Sequence, residues 1–166
     1  MEHSSAGSDI NSSIVIKRIL KIAQCSEATI LVVDDDELTL ALMSDLLRSQ
    51  GFEVRQASDG AQAFKLLQHE WFPVMITDWQ MPVMNGLELT RRLRAKGILD
   101  TYVIMLTAFE TGADYESGYE AGVDDYLTKK LPDIELFARI HAAYRTVNLR
   151  RSLQEARSAL AAKNKN

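Results

Sequence analysis

Three carboxylates, a hydroxyl and an ammonium each stand at the end of a short apolar run in this 166-residue chain. Asp34 and Asp35 follow TILVV, Asp78 ends PVMITD, Thr107 ends YVIMLT, and Lys129 follows VDDYLT. If each run is a buried parallel strand, the five side chains gather at the carboxyl edge of one sheet, where open α/β sheets place their sites. Such a gathering is costly unless a cation and an anion join it. A divalent metal and a phosphoryl group answer both needs.

Mg²⁺ prefers octahedral oxygen ligation with few carboxylates and retained waters. Asp35 and Asp78 are the candidate direct ligands, Asp34 acts through water, and a main-chain carbonyl just past Asp78 adds another. Bound there, the metal relieves carboxylate repulsion and leaves a position open to a phosphoryl oxygen. Asp78 is then a nucleophile toward phosphorus, forming an acyl phosphate. Thr107 and Lys129 hydrogen-bond and neutralise the added oxygens. Any one of these residues alone reads as a turn, a cap or a surface charge. Their joint placement after separate apolar runs argues against that.

The elements that must position them alternate regularly. Strand 29–34 leads to a helix at 37–50 that stops at Gly51. Strand 53–57 leads to helix 60–69, opened by Asp59 with Gln62 three residues on, a pattern like a capping box. Strand 73–78, helix 86–96, strand 102–107, a weak helix near 112–121 and strand 123–128 follow. This alternation predicts a parallel sheet with helices on both faces. From Pro132 one helix runs to about residue 162. Its first apolar face is Phe137, Ile140, Tyr144 and Val147; the next stripe is Leu149, Leu153, Ala156 and Leu160. The step from Val147 to Leu149 breaks phase, so the second stripe faces elsewhere and suits a partner helix. A polar, Ser-rich start covers residues 1–12 and a short helix is expected near 13–24, free to pack on the domain, pair with the last helix or belong to an upstream unit.

At 46% hydrophobic the chain can build a core, and a net charge of −4 does not favour direct nucleic-acid binding. No run approaches the roughly 20 apolar residues needed to span a bilayer. The start lacks the marks of a secretion signal, and a lone Cys25 cannot close an internal disulfide; a cytoplasmic protein is expected.

ILVVDDDE, MITDWQMPVMNG, VIMLTA and GVDDYLTK, in this order, resemble the receiver domain of two-component response regulators over roughly residues 28–145. The resemblance implies a flavodoxin-like, doubly wound five-stranded parallel sheet of order 2-1-3-4-5. Residues 1–27 then precede the receiver and 146–166 extend its last helix as a stalk, like those before diguanylate cyclases or other output domains. It implies that Asp78 is the phosphoacceptor for a sensor histidine kinase or phosphotransfer protein, in a reaction dependent on Mg²⁺. Asp34 and Asp35 match the acidic pair, Gln80 the position whose main-chain carbonyl binds the metal, Thr107 and Tyr126 the switch residues, and Lys129 the ion-pairing lysine. Phosphorylation is expected to alter the face built from helix 112–121, strand 123–128 and the last helix. A homodimer is expected through that face or through the extension.

The sequence departs from the family after Lys129, where Lys130 replaces the usual proline. A cis bond without proline costs about 2.5–4 kcal/mol, so the Lys129–Lys130 bond is expected trans. Phe109, two residues past Thr107, either shields the acyl phosphate from water or packs on the next helix. Two other functions fit part of the pattern. An aspartyl-nucleophile phosphohydrolase needs an acid two residues past Asp78, where Gln80 stands. A stand-alone interaction module with a vestigial site needs no intact cluster.

Overall fold

The computed structural model describes residues 29–108, 119–130 and 132–163. The segments expected to form an amino-terminal helix at 13–24 and most of a helix at 112–121 lie outside the described residues, as does Phe109. The strands are β1 (Thr29–Val33), β2 (Glu53–Ala57), β3 (Val74–Asp78), β4 (Tyr102–Thr107) and β5 (Asp125–Thr128). Helices α1 (Glu37–Ser49), α2 (Gly60–His69), α3 (Gly86–Ala95) and α4 (Asp133–Lys163) connect or flank them. The five strands form one parallel sheet of order β2-β1-β3-β4-β5.

The central strands are buried along nearly their whole length and mostly apolar, because helices cover both their faces. Ile30, Val32, Val74, Ile76, Ile104 and Leu106 point to one face, which α1 and α4 close with Leu40, Leu47, Phe137, Ile140 and Tyr144. Leu31, Val33, Met75 and Val103 point to the other, closed by Ala63 and Leu67 of α2 and by Leu89 and Leu93 of α3. Only β2, EVRQA, is largely exposed, and its polar residues blunt a sheet edge.

Local chemistry sets the helix ends. Asp36, Asp59 and Asn85 cap α1, α2 and α3, accepting from the N–H of Thr39, Gln62 and Glu88 at 2.9, 2.8 and 2.8 Å. The box at α2 is displaced by one residue: Gln62 Oε1 accepts from the Ser58 N–H at 2.7 Å, ahead of the cap residue rather than on it. Helix α1 ends in a Schellman motif, with Gly51 at φ 89° donating to Arg48 and Phe52 donating to Leu47.

Helix α4 is continuous across the phase break. Phe137, Ile140, Tyr144 and Val147 are buried against the sheet, whereas Leu149, Leu153 and Leu160 are 72%, 52% and 62% exposed. Roughly 24 Å of helix therefore extends past Val147 at 1.5 Å per residue. Among the described residues no helix is long and apolar enough to cross a membrane.

Candidate functional site

Register brings the acidic residues level. Val33 pairs with Thr77 across the β1–β3 ladder, so the next residues, Asp34 and Asp78, leave the sheet side by side. Asp78 pairs with Leu106 and Thr107 with Thr128, which sets Thr107 and then Lys129 one step further along the same edge. Asp34, Asp35 and Asp78 each offer a carboxylate oxygen within 4.8 Å of the others. Asp34 and Asp78 are buried, while Asp35 is exposed at the rim.

Lys129 Nζ lies 3.2 Å from Asp34 Oδ2 and 3.1 Å from Asp78 Oδ1. The reach of Lys129 therefore survives the loss of the following proline. The described residues contain no cis peptide, and Lys130 is exposed. Asp34 Oδ1 accepts the Asp36 N–H at 2.9 Å, which ties the start of α1 to the site. Asp78 Oδ1 accepts the Trp79 N–H at 2.8 Å, and that same N–H also donates to Leu106 at 3.0 Å.

Burial pushes the Asp78 carboxyl above the usual carboxylate range, and the Asp34 charge adds to the rise. Hydrogen bonds from Lys129 and Trp79 oppose this without cancelling it. For Lys129 the balance is reversed. Burial pulls it down, but Asp78 and Asp34 together hold it above its ordinary value. The two shifts are compatible because one ammonium gains from two carboxylates, whereas Asp78 has only a share of one ammonium.

The loop from Trp79 to Asn85 folds tightly under the site. Gly86 N–H donates to the Trp79 carbonyl at 3.0 Å. A Cβ on Gly86 would stand 2.2 Å from the Asp78 carbonyl oxygen, so only glycine permits this approach. Val83 takes φ 68°, an unusual conformation for a β-branched residue, and is 85% exposed. The Trp79 carbonyl is occupied by Gly86, whereas among the described residues no hydrogen bond reaches the carbonyl of Gln80.

The donor set fits Mg²⁺. It is all oxygen, and ligands about 2.1 Å from a six-coordinate ion lie roughly 3–4 Å apart, a spacing the three carboxylates can meet with small adjustments. Thr107 is buried at the end of β4. Tyr126 on β5 is half-buried, its hydroxyl oxygen already covered, with its ring 6.3 Å from that of Trp79. The contacts made by Trp79 and Gly86 escape a sequence reading, although glycine eight residues past Asp78 is a visible hint of a close approach.

A five-stranded parallel sheet of order β2-β1-β3-β4-β5, with an oxygen-rich, lysine-bridged cluster where strand order reverses, defines a flavodoxin-like α/β domain. Residues 30–141 match the response regulator receiver domain, and the chain belongs to that family. Among curated proteins it is 43% identical over 116 residues to the transcriptional regulatory protein CpxR of Escherichia coli K12, covering 70% of this chain and 49% of that one. CpxR of Klebsiella pneumoniae matches equally well. The chain thus spans about half the length of these relatives. Among solved structures, the receiver domain of Francisella response regulator 1452 superposes with a TM-score of 0.68 at 32% identity, covering 72% of this chain and 98% of that one. The chemotaxis protein CheY4 of Vibrio cholerae gives 0.67 at 30% identity, covering 70% and 98%.

Proposed function

We propose that this receiver is switched by phosphorylation of Asp78, with the phosphoryl group taken from a sensor histidine kinase or phosphotransfer protein. The observation that carries the proposal is the Lys129 ammonium bridging Asp34 and Asp78 beside a carboxylate cluster open at the Asp35 rim. Asp35, Asp78 and the Gln80 carbonyl would hold Mg²⁺, with Asp34 acting through water. Bound there, the ion supplies charge neutralisation for a phosphoryl oxygen.

The Asp78 carboxylate forms a bond to phosphorus as the phosphorus–nitrogen bond of the donor phosphohistidine breaks, and the electron pair stays on the imidazole. Lys129 then exchanges a carboxylate partner for a phosphoryl oxygen, and Thr107 donates to another. Their movement, with Tyr126, shifts an equilibrium between two arrangements of the face around β5 and the first half of α4. Assembly as a homodimer, through that face or through α4 beyond Val147, reads out the change. Residues 28–145 are the switch and 146–166 the stalk, in a cytoplasmic protein.

Phosphoryl transfer from a phosphorylated histidine phosphotransfer domain tests the chemistry: the chain should take label and Asp78→Asn should not. Molecular mass in solution with and without beryllofluoride and Mg²⁺ tests the assembly. Equal labelling of Asp78→Asn refutes the proposal.

A further inference from the structure

The acidic cluster occupies the carboxyl edge of the sheet, but a second charged network lies at the opposite edge. Arg94, at the end of α3, has a side chain only 16% exposed. It donates to the carbonyls of Gly122, Ile98 and Thr101 at 3.0, 2.8 and 3.0 Å and to Asp124 Oδ2 at 2.7 Å. The same Asp124 oxygen accepts the Val103 N–H at 2.9 Å. Gly122 makes room for this packing, since a Cβ there would meet Arg94 Cγ at 2.8 Å. Asp124 Oδ1 faces α4, where Arg150 reaches it at 3.1 Å and also lies over the Tyr102 ring at 5.9 Å. One residue on, Arg151 stacks over Trp71 at 4.2 Å.

We propose that Arg150 and Arg151 form a releasable latch, holding the projecting part of α4 against the amino-terminal edge of the sheet, with Asp124 and Trp71 as its catches. Neighbouring residues on a helix point about 100° apart, so the two contacts restrain tilt in different directions. Their location is also specific. Val147 is the last buried residue of α4, and the latch begins three residues later, where the helix leaves the core.

The network is asymmetric, and this makes the latch releasable. Asp124 keeps Arg94 and the Val103 N–H when Arg150 departs, so no buried carboxylate is orphaned. Arg150 is 46% exposed and exchanges Asp124 for water at little cost. Arg94 has no such freedom, since its departure would take the guanidinium from the carbonyls of Gly122, Ile98 and Thr101 and remove the nearer cation from Asp124. Asp124 also adjoins the switch face, two residues before Tyr126 and immediately before β5. A shift of that segment moves the catch relative to α4. Release on phosphorylation rests on the reading of Asp78 given above; the latch in the unphosphorylated protein does not.

Pulsed electron paramagnetic resonance between nitroxides on Ser49→Cys and Ala162→Cys, in a Cys25→Ser background, measures the direction of the extension. The parent should give one narrow distance distribution. Arg150→Gln/Arg151→Gln should broaden it about twofold with the far-ultraviolet helix signal unchanged, and Arg150→Lys/Arg151→Lys should restore most of the narrowing. Equal widths in parent and Gln variant overturn the latch, as does broadening accompanied by loss of helix. The same measurement with Mg²⁺ and beryllofluoride should move the parent toward the Gln variant. Bound beryllofluoride in the ¹⁹F spectrum with unchanged distances overturns release. Absence of that bound signal refutes the Asp78 reading and release together, and leaves the latch to the first comparison.

Discussion

Removing the charge of Asp78 should stabilise the metal-free protein while abolishing phosphorylation. At an effective dielectric of about 20, carboxylate oxygens no more than 4.8 Å apart repel by roughly 3.5 kcal/mol or more. The contact of Asp78 with Lys129 at 3.1 Å attracts by roughly 5 kcal/mol on the same scale. The burial of Asp78, and then repulsion by Asp34, oppose that attraction. The upward shift of the Asp78 carboxyl shows that the opposing effects prevail. Lys129 still keeps Asp34 when Asp78 becomes neutral. Asp78→Asn should therefore gain about 1–2 kcal/mol at neutral pH, or roughly 3–6 °C in Tm for a chain of this size.

The pH dependence has a definite sign. A carboxyl raised above its unfolded value of 3.8 loses stability as pH climbs from there through the folded pKa. The advantage of Asp78→Asn should thus be small near pH 4, grow with rising pH and then level off. Saturating Mg²⁺ should shrink it, because an ion held in part by Asp78 would bind the folded parent more tightly than the variant. Thermal unfolding in EDTA and in Mg²⁺ provides the assay. A variant less stable than the parent in EDTA at pH 7 would refute the electrostatic reasoning.

Gly86→Ala should lose about 2–4 kcal/mol in denaturant unfolding and phosphorylate slowly, since its Cβ would meet the Asp78 backbone at 2.2 Å. Lys129→Gln leaves Asp34 and Asp78 facing each other without a cation. It should cost about 1–3 kcal/mol in EDTA and slow labelling by acetyl phosphate at least about tenfold. His141 is buried beside Phe52, and burial followed by the Arg145 charge holds its imidazole below the ordinary 6.5. The parent should therefore lose stability as pH falls from 6.5 through the folded pKa, whereas urea titrations of His141→Phe should show a flatter profile across that window.

The strands and the carboxyl-edge cluster were legible because both follow from local pattern. TILVVD and PVMITD each place an acid after a run that only a doubly covered strand can use, and register then aligns them. The break between Val147 and Leu149 was legible for the same reason, since a periodicity of 3.6 cannot carry both stripes on one face. Nothing in the local pattern distinguishes Arg94 from Arg91 or Arg92, or Asp124 from Asp125. Their roles arise from a pairing thirty residues apart in sequence, which exists only once β4 and β5 are side by side. Likewise, adjacent Asp34 and Asp35 share a motif but not an environment: backbone direction at the end of β1 buries the first against Lys129 and leaves the second at the rim. The return bond of the box at α2, from the Ser58 N–H to Gln62 rather than from Asp59, reflects backbone geometry at Ser58 and Asp59 that composition does not encode.

The most direct measurement is the position of the label after treatment with acetyl phosphate, found by borohydride trapping and peptide mass mapping. One modified carboxylate is expected, Asp78, formed in Mg²⁺, not formed in EDTA and absent from Asp78→Asn. Label on another residue, or label at Asp78 that is indifferent to divalent metal, would contradict that expectation.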